Sequence, residues 1–400
     1  MSAHHSIFYF PHGGPSKNGL IALGKEDELV LNAGDMQVFE NLQSWLDKKD
    51  WVFGFLSYDL KNKIEKLSSQ NTDPLSLPLL HFVRPEIVAT IDAVGCIKLL
   101  KGSGDQLHRV EAFFREKETT GTEAHAIHLK PRVSKSEYQR AVGHLQEHIR
   151  RGDIYEVNYC QEFFAAEKIS DPFSTWKKLN DLTEAPFSAF MQMNDLFLMC
   201  ASPERFLKKE NQKLISQPIK GTIKRGKNAE EDKALMEELY QSKKERAENV
   251  MIVDLVRNDL SKSATRGSVK VEELFGVHSF KTVHHLISTI SAEIKPGTTF
   301  TQIIRDTFPM GSMTGAPKIR AMQLIDEYEC SSRGIYSGSI GYINPEGDFD
   351  FNVIIRSIVY NDAMPYISCS VGSAITSLSN PEKEYEECLL KAEALMRALG

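Results

Sequence analysis

Apolar positions in the first hundred residues recur in short runs of strand length. Examples are Trp51–Tyr58 and Ile87–Leu100, the latter folded back at a turn over Ala93–Gly95. A polar stretch from Lys101 to Pro131, with glycine, threonine and many charges, holds one short helical candidate and is the best place for a boundary. Residues 1–130 are therefore expected to form a β-rich N-terminal part and residues 131–400 the larger region. The pattern then changes to helical spacing. Ser134 and Glu137 are placed for a capping box, Tyr138, Val142, Leu145 and Ile149 recur on one face, and Gly152 can end the helix. Strand-like runs fill Ile154–Gln217, with turn signals at Asn194-Asp195 and Asn211. One long charged helix is predicted over Asn228–Val250, continuing towards Asp259. Strands follow near Val269–Glu273 and Phe280–Ile294, and helices over Phe300–Thr307 and Ala316–Tyr328. Further strands lie near Ile335–Ile343, Phe349–Val359 and Tyr366–Val371, with hairpin turns at Asn344–Gly347 and Asn361-Asp362. A last helix spans Pro381–Leu399. Clustered strands joined by tight turns imply antiparallel sheets with helices packed outside, an α+β fold. There is no βαβ alternation of the dinucleotide-binding kind.

Composition narrows the class. With 41% apolar and 26% charged residues the chain is an ordinary globular protein. Its net charge of -6 gives no general attraction to nucleic acid or to an anionic membrane, so an anionic substrate would need a local cluster of cations. The apolar runs are too short and too often interrupted by charge to span a bilayer. Met1–Gly14 lacks a basic segment followed by an apolar stretch. Six scattered cysteines (96, 160, 200, 330, 369 and 388) with no CxxC pair read as reduced core thiols, and the expected location is cytoplasmic.

Five stretches carry candidate chemistry. Lys220 lies in Gln217–Thr222, between a stiffening Pro218 and a permissive Gly221. With Lys224 and Arg225 as neighbours its pKa could be lowered and its amine made nucleophilic. A solvated lysine in a surface turn is the plain alternative. Glu204 follows the apolar Leu196–Cys200 run, where burial would raise its pKa and suit it to general-acid work; a salt bridge to Arg205 is the alternative. Glu245 and Glu248 share a helix face, as do Glu387 and Lys391 on the last helix. Two glutamates from two helices could hold Mg2+ together with substrate oxygens, unless they are surface ion pairs. The Phe308–Lys318 loop lacks the ending of a nucleotide-binding phosphate loop, but its backbone N–H groups could meet a carboxylate. His144 and His148 read as exposed helix residues, and His284-His285 as a satisfied core pair.

Taken together and in order, Gly152–Asn158, Ser202–Glu204, Pro218–Thr222, Glu245–Glu248, Asp254–Leu260, His285–Thr289, Gly311–Arg320, Arg333–Gly338, Ile355-Arg356 and Glu384–Lys391 resemble the chorismate-utilising enzymes. That group includes anthranilate, aminodeoxychorismate, isochorismate and salicylate synthases. The likeness is strong over 131–400, and Val52–Leu60 resembles the family's N-terminal part. The resemblance implies an antiparallel β-sandwich flanked by helices, with a deep active-site cleft. Anthranilate synthases usually carry alanine at the position of Lys220, whereas Pro-Ile-Lys-Gly-Thr is typical of aminodeoxychorismate synthase. The implied reaction is therefore chorismate plus ammonia giving 4-amino-4-deoxychorismate, on the route to 4-aminobenzoate and folate. Lys220 would form a covalent adduct and Glu204 would be the general acid. Glu248 and Glu387 would bind Mg2+ at the ring carboxylate, with Lys391 and Thr222 beside it. Tyr336, Arg356 and the backbone near Gly372 would take the enolpyruvyl carboxylate, and His285 and Ser312 would line the ring. A glutamine amidotransferase partner is implied, because no glutaminase motif is present. The other readings are an anthranilate synthase large subunit and a non-catalytic chorismate-binding regulatory subunit. Glu156 departs from the glutamine of many relatives and from the lysine of the water-adding isochorismate group. The shorter N-terminal part lacks a match to the tryptophan site of anthranilate synthases, so no tryptophan inhibition is expected.

Overall fold

Strand Ser6–Phe10 shows why the apolar runs form a two-layer core. Its successive side chains point to opposite faces. Ile7 packs outward with Ile21, Leu23 and Phe190, whereas Phe8 and Phe10 pack inward with Phe53 and Met191. Strands covered on both faces read as nearly unbroken apolar runs. The structure is a computed structural model that describes residues 6–14, 18–119, 126–281 and 283–400; part of the polar stretch expected to mark a boundary lies outside these residues.

Two antiparallel sheets lie face to face. One runs Gly315–Ala316, Glu156–Ala165, Tyr366–Ile375, Ser357–Asn361, Leu196–Ser202, Phe187–Met193, Ser6–Phe10, Gly19–Leu23, Ile87–Ile91, Ile97–Lys101. The other runs Ile219–Lys224, Val283–Glu293, Lys213–Gln217, Arg205–Glu210, Phe349–Asn352, Ser339–Ile343, Val52–Leu56, Leu80–Arg84, Asp27–Leu31. Strands from either side of residue 130 share both sheets. Phe8 and Phe53 meet between the layers with ring centroids 5.6 Å apart. Helices Lys135–Arg151, Pro172–Thr183 and Pro381–Leu399 cover the outer face of the first sheet. Helices Val38–Leu46, Lys243–Ser263 and Phe300–Thr307 cover the second. The α+β sandwich with outer helices is the expected architecture. No described helix is long and apolar enough to cross a membrane.

Local chemistry sets the element ends. Ser134 and Glu137 form the reciprocal capping box, and Gly152 closes that helix at φ 83°. The single long helix expected after Asn228 is instead two, Ala229–Gln241 and Lys243–Ser263. Ser242 leaves the helix and its hydroxyl accepts from Glu245 N, so the capping preference of serine interrupts the periodicity. Phe349–Val359 is also divided: Phe349–Asn352 belongs to one sheet and Ser357–Asn361 to the other. Helix Val38–Leu46 was not anticipated, nor was helix Pro172–Thr183 within the stretch expected to be strands, and the short helical candidate of the polar stretch reaches Leu107–Thr119. Cys160, Cys200, Cys369 and Cys388 are buried thiols, but Cys96 and Cys330 are exposed, against expectation, because both sit in connections between elements. His144 is exposed; His148 is instead half-buried, bonded to Asp153 at 2.6 Å and to Tyr328 at 3.2 Å.

Candidate active site

Lys220 owes its position to a bulge. Ile219 pairs with Ile287 and Thr222 with His285, so three steps on one strand face two on its partner. The extra residue re-aims the side chain, and Gly221 absorbs the distortion at φ +91°. A Cβ at Gly221 would stand 3.1 Å from Glu245 Oε2 and 3.2 Å from Leu239 Cδ1, so a side chain there would crowd both helices. Lys220 is buried, and its Nζ donates to Glu156 Oε1 at 2.5 Å. Burial alone would depress the ammonium pKa, but the carboxylates of Glu156, Glu248 and Glu204 hold it above its usual value. The expected lowering is therefore corrected: the residues facing Lys220 in space are acids from distant segments, not Lys224 and Arg225.

Glu204 and Arg356 stand where the chain passes between sheets. Pro203-Glu204 links Leu196–Ser202 of one sheet to Arg205–Glu210 of the other, and Val353–Arg356 makes the reverse passage beside it. Ala201 N donates to Arg356 O at 3.1 Å and Val353 N to Glu204 O at 3.0 Å, fastening the two crossings together. Arg205 turns away to Asp350 at 2.9 Å, so no ion pair with Arg205 consumes Glu204. Glu204 is buried and its Oε1 accepts from Ser312 Oγ at 2.6 Å. Burial pushes its carboxyl up to about 7, against the Ser312 bond and the Lys220 charge, which favour ionisation.

The Phe308–Lys318 loop brings Ser312 to this point. Gly311 lets it rest on the Lys243–Ser263 helix, where a Cβ would lie 2.5 Å from Leu255. Lys318 is spent inside the loop, bound to Asp259 and to the carbonyl of Pro309 at 2.9 Å. Asn158 Nδ2 donates to Ser312 O at 3.0 Å from the neighbouring strand.

Glu248 and Glu387 come from the Lys243–Ser263 and Pro381–Leu399 helices, and the charges of both act on Lys220 and Lys244. Glu248 is buried, and burial pushes its carboxyl up to about 7. Its Oε1 accepts no hydrogen bond, and Lys244 Nζ stands 3.9 Å away. Glu387 is half-buried and held below its usual range by Lys391, whose Nζ lies 2.7 Å from it and also donates to Gly372 O at 2.7 Å. Among the described residues no three potential ligands cluster by themselves. The buried, unsatisfied oxygen of Glu248 is the kind of ligand that a hard cation could take, with substrate and water among its other ligands.

Opposite them, Thr222 Oγ1 and His285 Nδ1 share a 2.9 Å hydrogen bond. Burial, then the Arg356 and Lys391 charges, push the His285 imidazole down to about 3, so it is neutral at physiological pH. His284 is satisfied too, between Ser279 at 2.8 Å and Asp232 at 2.9 Å. Arg356 has φ 52° and neighbours buried Tyr336 and Glu387, with burial pulling its pKa down. Its guanidinium makes no ion pair among the described residues. Gly372 is the close-approach point, where a Cβ would lie 2.5 Å from both Asn158 Oδ1 and Cys160 Sγ.

Hydrogen bonds, ion pairs or charge interactions thus link Lys220, Glu204, Ser312, Glu248, Glu387, Lys391, Gly372, Arg356, Tyr336, His285 and Thr222 in one network. What sequence reasoning missed is Glu156 as the direct partner of Lys220, Asn158 behind the loop, and Lys244 between Glu248 and Glu384. The motif Gly152–Asn158 marked the segment but gave no contact.

The sequence profile of a family described as chorismate binding enzyme matches residues 12–397. The chain is 36% identical over 358 residues to anthranilate synthase component 1 of Thermus thermophilus, covering 87% of this chain and 77% of that one. It is 32% identical over 408 residues to aminodeoxychorismate synthase component 1 of Bacillus subtilis, covering 96% and 86%. The crystal structure of anthranilate synthase component I from Streptococcus pneumoniae superposes with a TM-score of 0.82 at 25% identity, over 96% of this chain and 93% of that one. A profile running nearly end to end, with relatives at this identity, makes the chain a member of the chorismate binding enzyme family.

Proposed function

We propose that the chain converts chorismate and ammonia to 4-amino-4-deoxychorismate, with Lys220 as nucleophile. The observation that carries this reading is a buried lysine at a strand bulge whose charge is coupled to Glu204, a carboxyl that burial holds protonated up to about pH 7. As its free amine, Lys220 Nζ bonds to ring C2 while the double bond shifts and the C4–O bond breaks. Glu204 gives its proton to the departing oxygen, which leaves as water. Ammonia then bonds to C4, the double bond shifts back and the C2–N bond breaks. Covalent catalysis divides one difficult displacement into two.

Glu248 and Glu387 would hold Mg2+, which when bound supplies positive charge to the ring carboxylate. Lys391 and Thr222 stand beside that carboxylate. Arg356 and Tyr336, with the backbone at Gly372, receive the enolpyruvyl carboxylate; an unpaired guanidinium suits it because it can donate two parallel hydrogen bonds. Neutral His285 and Ser312 line the ring. The component 1 designation of relatives supports a second subunit, which we take to be a glutamine amidotransferase that delivers ammonia. The product serves 4-aminobenzoate and folate synthesis in the cytoplasm.

The test is mass spectrometry of the product made by purified protein from chorismate, Mg2+ and ammonium, with and without a downstream lyase. A product in which NH2 replaces OH, aromatised only when lyase is added, is expected. Fluorescent anthranilate without lyase would overturn the reading in favour of an anthranilate synthase.

A further inference from the structure

Lys220 cannot attack in the form that its surroundings favour. The Glu156 carboxylate beside it keeps it an ammonium, which has no lone pair, so a proton must leave before the C–N bond forms. Lys220 is only 8% exposed and forms no other ion pair among the described residues than that with Glu156. Glu204 is already required as the proton donor, and Glu248 would be occupied in holding Mg2+. The remaining carboxylate is Glu156, 1% exposed, with Oε1 at 2.5 Å from Nζ. Its Oε2 is buried and accepts no hydrogen bond, leaving a vacant acceptor beside the amine.

The carboxylate is held in place by its backbone. Glu156 pairs with Ala316, and Tyr155 N donates to Ala316 O at 2.7 Å. Gly315 permits this contact, as a Cβ there would lie 2.2 Å from Glu156 O. Strand and loop thus fix Glu156 before substrate arrives, as acid–base groups need.

We propose that Glu156 is the proton acceptor for Lys220 and returns that proton when the cycle closes, an inference that rests on the amination reading above. The resting pair is Lys220 ammonium and Glu156 carboxylate. Transfer along the short hydrogen bond gives free amine and Glu156 carboxylic acid. The amine forms its bond to C2 as a secondary ammonium, Glu204 donates its proton, and water departs. Ammonia adds at C4, and Lys220 leaves as neutral amine with the bonding pair. The C4 ammonium gives one proton back to Glu204, and Glu156 returns its proton to Lys220. The sum is chorismate plus ammonia giving aminodeoxychorismate plus water, with every protein group restored.

The test compares wild type with Glu156→Gln and Glu156→Asp. The amide oxygen of Gln can still accept from Lys220 but cannot hold a proton. Two readouts are taken: steady-state turnover with ammonium, and the rate of mass increase on Lys220 in intact protein given chorismate and Mg2+ alone. Glu156→Gln should slow adduct formation and kcat by about a hundredfold, within the usual span of acid–base catalysis, and leave KM for chorismate nearly unchanged. With Glu156 gone, Lys220 faces Glu204 and Glu248 only, and must lose its proton to solvent. On the acidic side of the fall set by Glu204, the variant's kcat should therefore climb more steeply with pH than that of wild type, and Glu156→Asp should recover part of the rate. Melting temperature and chorismate binding report folding; if Glu156→Gln does not fold, the Glu156→Asp rate and profile decide. Unchanged kcat, or a loss with the wild-type pH profile, would overturn the role of Glu156 while amination stands. A wild type that makes no amination product would overturn both.

Discussion

Ser312 Oγ donates to Glu204 Oε1 at 2.6 Å, joining the glycine-bearing loop to the point where the chain crosses between sheets. Two effects on Glu204 oppose each other. Burial favours the neutral carboxyl, whereas the serine hydroxyl favours the charged one, and the balance stands at about 7. A general acid works only while protonated, so activity should be present below that pKa and fall as pH rises through it. Ser312→Ala removes a bond that stabilises the anion and should move the alkaline limb of kcat/KM to higher pH. A limb that stays put or moves down would show that another group sets it.

Lys220→Ala should abolish both the adduct mass and formation of 4-amino-4-deoxychorismate. The buried carboxylates that surround Lys220 bind no part of the proposed substrate directly, so Mg2+-dependent chorismate binding should survive, read by calorimetry. Normal turnover in this variant would remove the covalent step but leave the substrate assignment standing.

Arg356 offers a half-buried guanidinium that makes no ion pair among the described residues. A hydrogen bond to a charged group contributes about 1.5–3 kcal/mol, so Arg356→Ala should raise KM for chorismate by roughly ten- to a hundredfold. Arg356→Lys restores charge without the planar fork and should recover only part of it. A fall in kcat with KM unchanged would place Arg356 elsewhere in the reaction.

The sequence marks the elements better than their meetings. Phe300–Thr307 and Pro381–Leu399 are found at the expected ends, and the turns at Asn194-Asp195, Asn211 and Asn344–Gly347 join the strands expected of them. These features depend on neighbours a few residues apart. Ser242 broke a helix because a hydroxyl cap competes with periodicity, which a pattern of apolar residues does not register. The charge state of Lys220 was read with the wrong sign for a related reason. Its sequence neighbours are cations, but its packing partner Glu156 lies 64 residues away. The crossing at Arg356 likewise reads as continuous strand, because both sheets bury their strands alike.

Arg333 provides a test of how the cleft is supported from behind. Arg333 and Glu329 are both buried and form two hydrogen bonds, at 2.9 and 2.7 Å. The same guanidinium donates to Met313 O at 2.7 Å and Asn158 O at 2.8 Å, and lies 4.5 Å from the Tyr58 ring. Glu329 also accepts from Cys160 N at 2.9 Å. Glu329→Ala would leave the cation buried without a counter-charge, a change that typically costs about 3–5 kcal/mol. The urea midpoint should fall accordingly with the slope of the transition unchanged. Because Met313 and Asn158 frame the Ser312 loop, turnover should fall as well, and more in kcat than in KM if the loop's aim at Glu204 is what suffers. A midpoint equal to wild type would mean that solvent reaches Arg333 and that the loop is held by its other contacts, chiefly Lys318 on Asp259.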